Sequence, residues 1–145
     1  MSEYNLQTGD ILLFDQNHSF LSSLIKKFTN SDYSHVAMVL KDPIFIHPSL
    51  KGYYIWESGF ENSPDPQDNK TKLGVQITPL DEICDKYKDR NSSIYIRSIN
   101  CSPKLFSKEH LKEVHTVVCD KKYDFYLKDL LEAIERKDID PQKTD

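Results

Sequence analysis

Short apolar runs bounded by turn residues constrain this chain more than any other feature. Ile11-Leu12-Leu13-Phe14 follows the turn signal Thr8-Gly9-Asp10. Val36 to Leu40 is closed by Asp42-Pro43, and Tyr53 to Trp56 follows a turn from Pro48 to Gly52. Gly74 to Thr78 and Ser93 to Ile99 complete the set; in the last, Ile94 and Ile96 alternate with Tyr95 and Arg97. Runs this short, bounded by Gly, Pro, Asn and Asp, predict strands rather than helices.

Elsewhere the period changes. Phe20, Leu21, Leu24, Ile25 and Phe28 share one helical face within residues 18–28. Pro79 suits a first helical position before Leu80, Ile83, Cys84 and Tyr87. Ser107 suits the N-cap of a helix from Lys108 to Cys119, with Leu111, Val114, Val117 and Val118 inward. Tyr123 to Arg136 repeats the pattern with Phe125, Leu127, Leu130, Leu131 and Ile134. Short strands with helices before, between and after them predict an α+β domain with a largely antiparallel sheet. On length, residues 1–136 make a single domain and 137–145 a polar tail or linker. Residues 61–72 offer nothing that builds core and are expected as an exposed loop, either a lid or a plain insertion.

A net charge of −4 leaves no electrostatic footprint for nucleic acid, and the pairs Lys26-Lys27 and Lys121-Lys122 make no basic patch. No stretch approaches the ~20 apolar residues of a membrane helix. The opening Met-Ser-Glu-Tyr-Asn lacks the basic and apolar regions of a secretory signal. Cys84, Cys101 and Cys119 are odd in number and lack metal-ligand spacing, so they read as reduced thiols of a cytoplasmic protein. His18, His35, His47, His110 and His115 are scattered, and the last two miss the i, i+4 spacing of a helical ligand pair. No metal site is expected, and no organic cofactor.

His35 carries the functional signal. It is a polar start to the apolar run Ser-His-Val-Ala-Met-Val-Leu, and Glu57 follows the run that ends at Trp56. An imidazole and a carboxylate at strand ends suit a general base and the acid that orients it. The plain alternatives are a hydrogen-bonded histidine at a sheet edge and an exposed strand-end carboxylate. Gly59 leaves room for close approach beside Glu57. Asp10 reads as a turn residue. Tyr33 and Trp56, with Tyr53, Tyr54 and Phe60, are candidates for lining a substrate groove. A thiolate nucleophile needs an imidazole in reach and favours a helix N-terminus. Cys84 and Cys119 fall near apolar helix faces; Cys101, in a loop beyond a strand, is the nearest to qualifying.

The ordered blocks Gly9-Asp10-Ile11-Leu12-Leu13-Phe14, Tyr33-Ser34-His35-Val36-Ala37-Met38-Val39 and Trp56-Glu57-Ser58 resemble the circularly permuted NlpC-like branch of the papain-like hydrolases. That branch includes bacterial YiiX-type proteins, poxvirus relatives and, more distantly, lecithin:retinol acyltransferase. Val75-Gln76-Ile77-Thr78-Pro79-Leu80, the strand ending at Arg97, and Tyr123-Asp124-Phe125 extend the resemblance through nearly the whole chain. The resemblance implies a papain-like core, His35 as general base, Glu57 as the orienting residue, and a structural role for the turn at Gly9 and Asp10. It also implies a nucleophilic cysteine opening a helix after the block at Tyr123, and no cysteine stands there. Three explanations stay open: a fragment lacking that helix, a pseudoenzyme, or a different nucleophile such as Cys101.

Two functions follow as expectations. One is a thiol hydrolase or acyltransferase acting on an amide, thioester or ester. The other is a catalytically inactive module binding a peptide or lipid-like ligand.

Overall fold

The structure, a computed structural model, describes residues 5–16, 20–59, 63–90, 92–119 and 121–122. The helix expected at 123–136, the tail 137–145, Phe60, and the side chains of Phe20, Leu21, Leu24 and Phe28 lie outside the described residues. The elements in chain order are β1 (Ile11–Asp15), α1 (Phe20–Thr29), β2 (His35–Lys41), β3 (Tyr53–Gly59), β4 (Pro64–Asp65), β5 (Lys70–Thr71), β6 (Gly74–Pro79), α2 (Leu80–Asp89), β7 (Ser93–Arg97) and α3 (Lys108–Val118). A short 3-10 turn, Pro103–Phe106, precedes α3. Five strands form one antiparallel sheet in the order β6-β3-β2-β1-β7, and β4 pairs with β5 in a separate hairpin. The α+β class and the antiparallel sheet are therefore as the sequence predicts. Among the described residues no helix is long and apolar enough to cross a membrane.

Strand alternation divides the core in two. Leu12, Phe14, Ala37, Val39 and Ile55 face one side, where Ile83 and Tyr87 of α2 pack on them. Leu40 and Ile77 face the other, against Leu50 and Leu111 of α3, with Met38, Trp56, Phe45 and Phe106 around them. Each such fully buried aliphatic or aromatic side chain contributes about 1.5–3 kcal/mol relative to exposure.

The termini of the helices follow their local chemistry. Asn30, at φ 50°, ends α1, and the Ser31 amide donates to the Lys26 carbonyl, a Schellman closure that turns the chain toward β2. Ser107 caps α3, its hydroxyl accepting from the His110 amide. Pro79 is the last residue of β6 and the N-cap of α2, one position earlier than expected.

Two expectations need correction. Val114 and Val117 of α3 are 49% and 65% exposed, whereas Leu111 is buried. At 100° per residue Leu111, His115 and Val118 share the inward face, so a histidine takes a place that an apolar count gives to valine. Residues 61–72 are also more than an exposed loop. β4 and β5 form a hairpin there, and the Asp65 side chain is fully buried. Its carboxylate accepts from Lys72 Nζ at 3.1 Å, the Gln67 amide at 2.9 Å, Gln67 Nε2 at 2.9 Å and the Ile77 amide at 3.3 Å. A charged group can enter a core when it is paired and hydrogen-bonded in this way.

The Gly9 turn is tightly built. Gly9 has φ 103°, its amide donates to the Val39 carbonyl, and a Cβ there would sit 2.9 Å from the Phe106 ring. Asp10, buried beside it, accepts from the Gln7 amide through Oδ2 and from the Ile99 amide through Oδ1. That carboxylate ties the entry of β1 to the exit of β7. Gly9→Ala combines backbone strain with a steric clash, and it is expected to cost about 1–3 kcal/mol in urea unfolding. Gly52→Ala is the control: its φ is 97°, but a Cβ there meets nothing within 4 Å. It should cost less.

Candidate active site

His35 begins β2 and Glu57 lies inside β3, which runs on to Gly59 rather than ending at Trp56. The register pairs Met38 with Trp56; carried to the start of β2, it sets His35 across from Gly59. Glu57 is then the diagonal neighbour of His35 on the same face, within reach of a long side chain. His35 Nε2 lies 2.6 Å from Glu57 Oε2. The Glu57 side chain is 1% exposed and that of His35 24%. Thr78 of β6 completes the chain, its hydroxyl donating to Glu57 Oε1 at 3.0 Å.

Two neighbours flank the imidazole. Phe14, paired with His35 across β1, sets its ring 5.3 Å away, and Tyr87 backs Phe14 at 4.9 Å. On the other side Gly59 has no side chain; a Cβ there would lie 3.5 Å from His35 Cε1. Because a carboxylate oxygen accepts, Nε2 donates. Nδ1 is left with the lone pair, and among the described residues it makes no hydrogen bond.

Both residues line an open cleft of about 670 Å³ at the end of the sheet. Its apolar lining, Leu13, Val36, Trp56, Val75 and Val118, stands on the α3 face of the sheet, whereas the His35 and Glu57 side chains alternate to the α2 face; Tyr33 and Ser34 lie at the entrance to β2. Among the described residues, no Lys, Arg or Asp lines it, and His35 and Glu57 are its only His or Glu. Of the aromatics expected at a groove, Tyr33 and Trp56 line it, while Tyr53 and Tyr54 pack against the two cores instead.

The cysteines are elsewhere. Among the described residues none of the three forms a disulfide, and none lines the cleft. Cys101 is exposed and shares a small pocket with Gln7, Thr8, Ile99 and Phe106. β7 runs antiparallel to β1 and brings its exit to Ile11, whereas His35 lies beside Phe14. Cys101 and His35 thus sit toward opposite ends of β1, separated by roughly 10 Å of strand. Cys84 is on α2; burial, and then the Asp81 carboxylate, push its thiol above the ordinary range. Cys119 is the C-cap of α3. Among the described residues no group of three or more His, Cys, Asp or Glu is placed to hold a metal ion.

Thr78 and Gln76 are the site residues that strand reading passes over. Gln76 pairs with Glu57 across the strands, and its buried Nε2 has no hydrogen-bond partner among the described residues. The signal for both was present: Gln76 and Thr78 put polar groups at period two in a strand otherwise fit for core. Period-two polar residues on a buried face mark a satisfied network or a site.

No family model matches the chain, and no curated protein matches it significantly. The functional reading therefore rests on the geometry at His35.

Proposed function

We propose that this protein is a thiol-type hydrolase or acyltransferase on a permuted papain-like scaffold, acting in the cytoplasm. His35 is its general base and Glu57 the residue that orients it. The observation that carries this reading is the 2.6 Å contact between His35 Nε2 and a buried Glu57, which leaves Nδ1 to a reacting group. In the reaction, Nδ1 takes the proton of a thiol, and the sulfur attacks the carbonyl carbon of an amide, thioester or ester. The tetrahedral intermediate collapses as Nδ1–H protonates the departing amine, thiol or alcohol. Water, or a second acceptor, then attacks the acyl-thioester, gives its proton to His35, and frees the thiol. Glu57 stabilises the imidazolium in both steps. The largely apolar wall of the cleft suits an uncharged acyl group of a peptide or lipid-like substrate. None of Cys84, Cys101 and Cys119 lines the cleft, so the placement of these thiols lends this reading no support.

That same placement favours a second reading: a binding module that holds an apolar peptide or lipid-like ligand without turning it over. Thiol mapping separates the two. The protein isolated from its natural source is pulsed with iodoacetamide at neutral pH, and the labelled peptides are mapped. Cys101 should label at the rate of an ordinary exposed thiol, and Cys84 far more slowly, because burial raises its pKa. Hydrolase function predicts a further thiol faster than Cys101, slowed when His35 is replaced. A binding module predicts none.

A further inference from the structure

Trp56 is the chain's single tryptophan, and it lines the same cleft as His35 from the opposite face of the sheet. Its indole is held from α3. The His115 ring lies 5.8 Å from the indole, and Phe45 closes on the imidazole edge-on at 6.5 Å. His115 Nε2 in turn lies 2.9 Å from Gln67 Oε1. The Gln67 amide cannot be turned round, because its own Nε2 donates to Asp65 Oδ2. So the carbonyl end meets His115, and Nε2 of the imidazole carries the hydrogen. The Cys119 thiol shares that carbonyl at 3.9 Å. Asp65 is anchored by the Lys72 ammonium and the Ile77 amide, and Ile77 is the residue paired with Trp56 across the sheet. The β4–β5 hairpin and α3 therefore meet at one imidazole, and that imidazole packs on the indole.

We infer that His115 is a positioning residue that fixes the Trp56 wall of the cleft, and that the Asp65–Gln67 pair holds His115 in place. Its relevance to specificity rests on the proposed acyl site; the geometry does not. An indole with a fixed face sets the shape of the cleft on the α3 side of the sheet, where a substrate chain reaching past His35 would meet it. Its loss should act on substrate binding more than on the chemical step.

The test uses Trp56 itself, whose emission has no competing tryptophan. Acrylamide quenching is measured for the wild type, His115→Ala, Gln67→Leu and the exposed-face control Val117→Ala. Quenching should rise in His115→Ala and in Gln67→Leu, because the indole loses the ring that covers it or the contact that holds that ring. Val117→Ala should leave it unchanged. Gln67 reaches Trp56 through His115 and, by a second route, through Asp65 and the Ile77 amide, so the double variant is what isolates the His115 route. Adding Gln67→Leu to His115→Phe should therefore change nothing further. Should His115→Ala fail to fold, Gln67→Leu and the double variant still decide. Unaltered quenching in Gln67→Leu overturns the proposal. Hydrolysis of p-nitrophenyl butyrate separates the two readings: the variants should raise KM with kcat little changed. Altered quenching without any His35-dependent turnover would leave the positioning role standing and remove the acyl site.

Discussion

On the proposed hydrolase reading, replacing Glu57 with alanine should lower kcat/KM for p-nitrophenyl butyrate by about 10²–10⁴-fold in the protein as its source makes it, the usual span of a general acid–base contribution. His35→Ala gives a loss of the same size, and the double variant loses no more than either alone, because the two act as a unit. Glu57→Gln keeps an oxygen for Nε2 and retains the orientation, but it does not stabilise the imidazolium. It should fall between the wild type and Glu57→Ala. Neither alanine variant should unfold the protein. His35 is partly exposed at the end of β2, and Glu57→Ala leaves only the Thr78 hydroxyl and the Nε2 hydrogen without an acceptor. Steady-state rates with a parallel circular-dichroism melt check both statements. Turnover that survives in His35→Ala would count against the hydrolase reading.

The second large effect is on stability. Asp65→Ala should cost about 3 kcal/mol, the low end of what breaking a buried ion pair costs. It leaves two Gln67 donors and the Ile77 amide without their acceptor. The Lys72 ammonium, 9% exposed, retains Asp68 at 3.0 Å, and this keeps the loss at the low end. The matching surface change, Lys70→Ala, removes a 3.8 Å contact between exposed groups and should leave the urea midpoint unmoved. Equal midpoints for the two variants would show that the hairpin is not anchored through Asp65.

Asp65 also shows where sequence reading stops. The run from Glu61 to Lys72 has no apolar period, so period alone assigns it to solvent. Its buried member is held by hydrogen bonds to residues that only the tertiary fold brings together, and such partners leave no local trace. The outward turn of Val114 and Val117 has the same origin. His115 faces inward because Gln67 and Trp56 receive it, and an apolar count on α3 has no means to rank a histidine above a valine.

The sheet was more legible. β1, β2 and β6 lie within a residue or two of their apolar runs because strand length and turn residues are written locally. His35 was visible as a polar residue opening an apolar run. Glu57 was visible too, but as a strand-end carboxylate; the pairings of Ser58 with Val75 and of Gly59 with Gly74 carry β3 two residues past it. That extension turns an exposed group into a buried one. Cys101 shows the converse. Its loop position made it the best thiol by local criteria, and the antiparallel order of β7 and β1 carries it to the far end of the strand from His35.

The most direct test of the dyad is the tautomer of the His35 ring, read from its nitrogen-15 shifts and long-range proton couplings in the neutral imidazole. Glu57 should hold the hydrogen on Nε2 and leave the lone pair on Nδ1, and Glu57→Ala should release it to a mixture of tautomers. A hydrogen on Nδ1 in the wild-type protein, or a spectrum indifferent to Glu57→Ala, would contradict the assignment of His35 as a base oriented by Glu57.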